Sequence, residues 1–238
     1  MSSSEAPLPA VENLIWQALS GPHAHLALRH GNAIRYGSEI PPFAAVRGSQ
    51  VAALADLRAL VPPGDAVALV APLHALPDPQ WQSVERIKLI QMVAERPVEA
   101  PREMPPLLSV ADVDDMLALA AATEPGPFAR RSIELGRFFG FRVQGELVAM
   151  AGERLHPPGF TEISAVCTRA DQRGRGMARE LVLAVARQIQ ARGEVPFLHV
   201  DATSDPNPGV VGLYERLGFR VARRGELTII QRQQCPGA

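Results

Sequence analysis

Arg173-Gly174-Arg175-Gly176-Met177-Ala178 stands between two runs of different character. Before it, Thr161 to Thr168 reads as a strand; after it, Ala178, Leu181, Val182, Val185 and Ile189 have the spacing of one helix face. A strand that enters a helix through glycines leaves backbone N–H groups free at the positive end of the helix dipole, where a phosphate can bind. Glycine permits close approach. Arg173, Arg175 and Arg179 add charge suited to a pyrophosphate or a 3'-phosphate. Taken alone, such a string in a chain rich in arginine, glycine and alanine is more often an ordinary loop. It does not suit a dinucleotide fingerprint, because Arg179 occupies the place of the third small residue and only about sixty residues follow, too few for a doubly wound domain.

Downstream, Phe197 to Ala202 reads as a strand and Pro208 to Leu217 as a short helix, with Phe219 to Ile230 forming a final hairpin around Arg224-Gly225. Upstream, Phe138 to Val143 and Glu146 to Ala151 flank Gln144-Gly145 as two antiparallel strands. Ser109 caps a helix carrying Met116, Leu117 and Leu119, and a second helix ends near Leu135-Gly136. Four prolines between Pro97 and Pro106 can neither continue a helix nor sit in a central strand, so a boundary is placed there. Before it lie a hairpin about Gly31-Asn32, a helix over Val51 to Leu60, a strand over Ala66 to Val70, and a further helix after Trp81. The expected organisation is an N-terminal segment 1–21, an N-terminal α/β domain 22–96, a linker 97–106, a main domain 107–232 and a tail 233–238.

Composition limits the partners. Hydrophobic residues at 47% and charged residues at 21% give a chain able to build a core rather than one disordered throughout. A formal net charge of -1 supplies no broad positive field, so nucleic acid is not expected as a partner. Cys167 and Cys235 lie far apart, which suggests neither a disulfide framework nor a cysteine metal site. No stretch approaches the roughly 20 apolar residues of a membrane span, and Met1 to Ala10 lacks a secretory pattern. No membrane association and a cytoplasmic location are therefore expected.

A second constellation, Asn207-Pro208-Gly209-Val210-Val211-Gly212-Leu213-Tyr214-Glu215-Arg216-Leu217-Gly218-Phe219, changes the weight of the first. Together the two strings resemble the Gcn5-related N-acetyltransferase (GNAT) superfamily, most closely its FR47-like branch. The family's cofactor signature, Arg or Gln, two residues, Gly, one residue, then Gly or Ala, falls on Arg173, Gly176 and Ala178. Its later signature falls on Asn207, Tyr214, Gly218 and Phe219. The resemblance covers roughly Leu107 to Gln231; one departure is Arg169-Ala170, where many relatives carry a proline. It implies a mixed α/β sheet of the GNAT acyltransferase fold with an additional N-terminal α/β domain. That domain is either a degenerate second copy of the architecture or a cover over the acceptor site.

The resemblance further implies an N-acetyltransferase that uses acetyl-CoA as acyl donor, needs no metal, and passes the acetyl group directly to a primary amine in a ternary complex. The acceptor would be a small molecule, an amino acid or a peptide N-terminus. Homodimerisation is left open, and the alternative function is a non-catalytic acyl-CoA-binding module. The pyrophosphate is expected on the amides of Arg173, Gly174, Arg175, Gly176, Met177 and Ala178, with Arg179 and Asn207 nearby and the pantetheine arm along Val166, Cys167 and Thr168. A backbone N–H near Val166 would meet the thioester carbonyl. Glu162 is the first candidate base, acting through water, with Glu153 second and Asp201 and His199 behind them. Tyr214 is the expected proton donor to the departing thiolate.

Each of these residues also has a plain structural account. Asn207-Pro208 is a helix cap, Gly218 a helix stop, and Tyr214 shares an apolar face with Val210, Leu213 and Leu217. Glu162 could be an exposed strand residue, and His199 and Cys167 core residues. Segments Glu124 to Phe128 and His156 to Phe160 are the expected edges of an acceptor pocket.

Overall fold

A computed structural model describes residues 13–70, 76, 78–203 and 208–234. Helix α1 (Leu14–Ser20) leads into a small antiparallel sheet of β1 (Ala27–His30), β2 (Ala33–Tyr36) and β3 (Ala44–Val46). The β1–β2 hairpin turns at Gly31-Asn32 as the sequence predicts, with the Asn32 N–H held by Asp56 Oδ2 at 2.7 Å. Then come α2 (Gln50–Arg58), β4 (Ala66–Leu69), β5 (Trp81–Val93), β6 (Leu107–Leu108) and α3 (Val113–Thr123). They are followed by β7 (Phe138–Val143), β8 (Glu146–Glu153), β9 (Phe160–Thr168), α4 (Met177–Ala191), β10 (Val195–Asp201), α5 (Pro208–Arg216) and β11 (Arg220–Arg232).

Eight strands form one mixed sheet in the order β4-β11-β5-β10-β9-β8-β7-β6, with β9 and β10 parallel. Strands β4 and β5 precede the proline-rich 97–106 segment, yet β5 lies between β11 and β10, so that segment does not divide the sheet. Helix α4 buries Leu181, Val182, Val185 and Ile189 on one face of the sheet, together with Tyr214 of α5 and Leu217 just after it. The other face is covered by α1 and the small sheet near β10 and β11, and by α3 near β8 and β9.

Three expectations from sequence are corrected. The segment after Trp81 is strand rather than helix, because its apolar residues alternate: Ile90 and Met92 join the core under α4, whereas Ile87, Leu89 and Val93 face the core under α1. The C-terminal hairpin is one continuous strand, in which Gly225 pairs with Leu89 and two register shifts take up the irregularity. The expected helix before Gly136 is a 3-10 turn, Arg130–Leu135, only six residues long.

A buried polar contact ties the N-terminal part to the rest. His23 Nε2 donates to the Leu135 carbonyl at 3.2 Å, so its Nδ1 accepts from the Tyr36 hydroxyl at 2.7 Å. The His156 ring lies 4.8 Å away. Burial, reinforced by His156, lowers the His23 pKa from 6.5 to about 4. A depressed base binds protons less readily folded than unfolded, so its stabilisation is complete above pH 6.5 and is lost as pH falls towards 4. We expect roughly 2 kcal/mol less stability at pH 5 than at pH 7 from this group. Urea unfolding of wild type and His23→Gln at the two pH values checks it, the variant having the shallower pH dependence.

Candidate active site

Strands β9 and β10 pair at Phe160–Val195, Thr161–Pro196 and Glu162–Phe197, and their pairing ends at Glu162. Within β9, Ala165 has φ +53° and the register against β8 slips there, so Ala165 and Val166 together oppose Ala151. Such a bulge bends a strand and redirects its backbone groups. Two cavities border the opened strands.

The first, about 510 Å³, is lined by Val166 to Thr168, the run Gln172 to Arg179, Thr123, and Val210, Leu213 and Tyr214 of α5. Gly174 (φ +77°) and Gly176 (φ +79°) adopt a left-handed backbone, and a Cβ built on either would meet nothing within 4 Å. Gly176 caps α4 without any side-chain hydrogen bond, which leaves the first N–H groups of the helix for a ligand. The departure at Arg169 is accounted for by its contacts. Its guanidinium reaches Asp171 at 2.7 and 3.0 Å and Glu146 at 2.6 Å, fixing the entry to the loop. Arg173 Nε donates to the Thr168 carbonyl at 3.3 Å, and Arg179 is engaged by Glu99 and Glu180, each at 2.6 Å. Tyr214 is buried, and burial raises its phenol to about 12. Burial likewise raises the Cys167 thiol. Asn207 lies outside the described residues; every other residue expected to contact the cofactor lines this cavity.

The second cavity, about 340 Å³, contains Glu162, Arg154, His199 and Asp201 among apolar walls, and Glu124 to Pro127 form part of its rim. Glu162 is fully buried. Arg154 Nε and Nη2 donate to its two oxygens at 2.8 and 2.7 Å, and His199 Nδ1 lies 2.6 Å from Oε1. Burial alone would raise this carboxyl, but the Arg154 charge and hydrogen bonds, helped by His199, overcome it and hold the pKa at about 2. Gln91 Nε2 is 3.2 Å from His199 Nε2 and closes the chain.

Glu153 lines neither cavity: it contacts Arg192 at 2.9 Å and His156 at 3.6 Å, because alternation along β8 points it away from the opening. Residues 156–160 do not line the second cavity either. Sequence reasoning missed Arg154. The signal was available in the turn at Pro157-Pro158-Gly159, since closing the β8–β9 hairpin there sets Glu153 beside Ile163 and Arg154 beside Glu162.

The family model described as FR47-like protein matches residues 138–227. A solved structure from Novosphingobium aromaticivorans, assigned to the GNAT family, is 38% identical over 93% of this chain and 98% of its own, with a TM-score of 0.84. This chain belongs to the GNAT family. It is an acetyltransferase of mixed α/β fold. Two more distant structures share the fold: a GCN5-related N-acetyltransferase from Kribbella flavida and a GCN5-related N-acetyltransferase-like protein from Streptococcus suis. The first is 18% identical with a TM-score of 0.55, covering 95% of this chain and 92% of its own. The second is 17% identical with a TM-score of 0.56, covering 92% and 93%. No curated protein matches the chain. Among the described residues of this GNAT protein, no helix is long and apolar enough to cross a membrane.

Proposed function

We propose that this GNAT enzyme acetylates a primary amine, holding acetyl-CoA in the 510 Å³ cavity and the amine in the 340 Å³ cavity. The observation that carries the reading is the joint placement of the uncapped α4 N-terminus, Gly174, Gly176 and Tyr214 around one cavity beside the opened strands. The fit is chemical: open glycine backbone and helix amides suit a diphosphate, and the apolar Val166, Leu213 and Met177 suit a thin pantetheine arm. When bound, acetyl-CoA supplies an acetyl group activated as a thioester.

Backbone amides from Gly174 to Ala178 bind the diphosphate, and the bulge at Ala165 presents Val166 to the reacting carbonyl. Glu162 remains ionised with its charge matched by Arg154, so the exposed Glu124 and Asp201 are what attract the ammonium form of the acceptor. Tied to Arg154 and so weakly basic, Glu162 is not the group that takes the amine's proton; it holds His199 in the cavity wall through the 2.6 Å contact at Nδ1, and the proton leaves to solvent water at the rim beside Glu124 and Asp201. Tyr214 holds a proton on its phenol oxygen. Handing it fully to a thiolate of pKa ~8.5 is uphill by roughly 5 kcal/mol, so Tyr214 contributes chiefly as a hydrogen-bond donor.

Tyr214→Phe should therefore lower kcat by about tenfold to a hundredfold, the effect of a lost hydrogen bond to a charged acceptor, with little change in coenzyme A affinity. Parallel turnover and calorimetry check it; unchanged turnover removes Tyr214 from the mechanism. The function as a whole is tested by thiol release over an amine panel beside coenzyme A calorimetry. Cofactor binding without release on any amine would instead identify an acyl-CoA-binding module.

A further inference from the structure

We infer that the acceptor is a cationic primary amine carried on an apolar body, with no carboxylate beside the amine. This rests on the reading that the 340 Å³ cavity takes the acceptor. Its walls are apolar and come from distant parts of the chain: Phe43 from the N-terminal part, Leu89 from β5, Leu155 after β8 and Leu227 from β11. Phe43, Leu155 and Leu227 are buried in one cluster, with Leu89 packed against it. Such a surface favours methylene or aromatic groups.

The charges lining the cavity point the same way. Three carboxylates, Glu124, Glu162 and Asp201, face one guanidinium, Arg154. Arg154 is bound to both Glu162 oxygens and lies with its guanidinium carbon 5.0 Å from the centre of the Phe43 ring. Its charge is thus matched by Glu162, and among the described residues no lysine or second arginine lines the cavity to receive an acceptor carboxylate. Glu124 and Asp201 are exposed and stand where an incoming cation arrives from solvent. Asp201 Oδ1 is positioned by the Thr203 N–H at 2.8 Å. A carboxylated acceptor would bring a third unmatched negative charge against these walls and lose its hydration there.

The test compares amines that differ in one feature, each assayed by thiol release and by calorimetric binding to the coenzyme A-loaded enzyme. Phenethylamine should exceed phenylalanine in kcat/KM by at least about tenfold, and bind more tightly, because only the latter carries the carboxylate. From butylamine to hexylamine, kcat/KM should rise about fourfold per methylene until the cavity is filled. The double variant Glu124→Gln/Asp201→Asn should narrow the preference for phenethylamine over phenylalanine. Phenylalanine equalling or exceeding phenethylamine, or ethanolamine matching hexylamine, overturns the inference while leaving acetyl transfer intact. Neither release from nor binding of any amine, with coenzyme A still bound, overturns the acetyl-transfer reading and this inference with it.

Discussion

Gly176→Leu is expected to weaken coenzyme A binding at least about a hundredfold while the protein still folds. The fold should tolerate the change because a Cβ at this position meets nothing within 4 Å, so the cost is the left-handed backbone at φ +79°, roughly 1 to 3 kcal/mol. Binding has no such tolerance. The space that is open in the free protein is where a diphosphate must approach the amides that start α4. A leucine there keeps the phosphates from those amides, and losing two charge-assisted hydrogen bonds at roughly 1.5 to 3 kcal/mol each exceeds a hundredfold in affinity. Calorimetry with coenzyme A, beside a thermal melt of the free protein, separates the two effects. A dissociation constant within tenfold of wild type would mean that the diphosphate is held elsewhere.

That prediction could be framed from sequence because its physics is local. Two glycines between a strand and an amphipathic helix define the loop whatever surrounds it, and the same holds for the β7–β8 hairpin at Gln144-Gly145 and for the buried face of α4. The helix expected at β5 and the hairpin expected at β11 went wrong for the opposite reason. Each strand is 13 residues long and packs against different cores on its two faces, so neither shows the simple apolar and polar alternation of a half-exposed strand. Arg224-Gly225 reads as a turn until β5 supplies a partner across it. Which residues the N-terminal part contributes was equally hidden, although a cover over the site is one of the two roles expected of it. Phe43 reaches the 340 Å³ cavity only because β4 joins the edge of the main sheet and the Ala68 N–H bonds to the Pro42 carbonyl at 2.8 Å. Phe43, Val70, Ile87 and Leu89 are the residues of 22–96 that line this cavity.

The pairing of Arg154 with Glu162 leads to the second large effect, on stability. Arg154→Met is expected to destabilise the protein by about 3 to 5 kcal/mol at neutral pH, since it leaves a fully buried carboxylate without its counter-charge. The pH dependence distinguishes this cause from lost packing. In the wild type, the Glu162 pKa is depressed from 4.5 to about 2, so the stabilisation is complete above pH 4.5 and is lost as pH falls through 2. In the variant, burial acts unopposed by Arg154 and raises the carboxyl, so Glu162 is neutralised at a higher pH. The penalty should then shrink steadily as acid is added, whereas a packing defect would be indifferent to pH. A second substitution, Glu162→Leu in the Arg154→Met background, should recover most of the loss, because a buried ion pair replaced by apolar groups of similar size is close to neutral. Denaturant unfolding of the single and double variants at pH 7 and pH 4 reads all three terms. A double variant no more stable than Arg154→Met would show that the guanidinium acts through its stacking on Phe43 and not through the charge it neutralises.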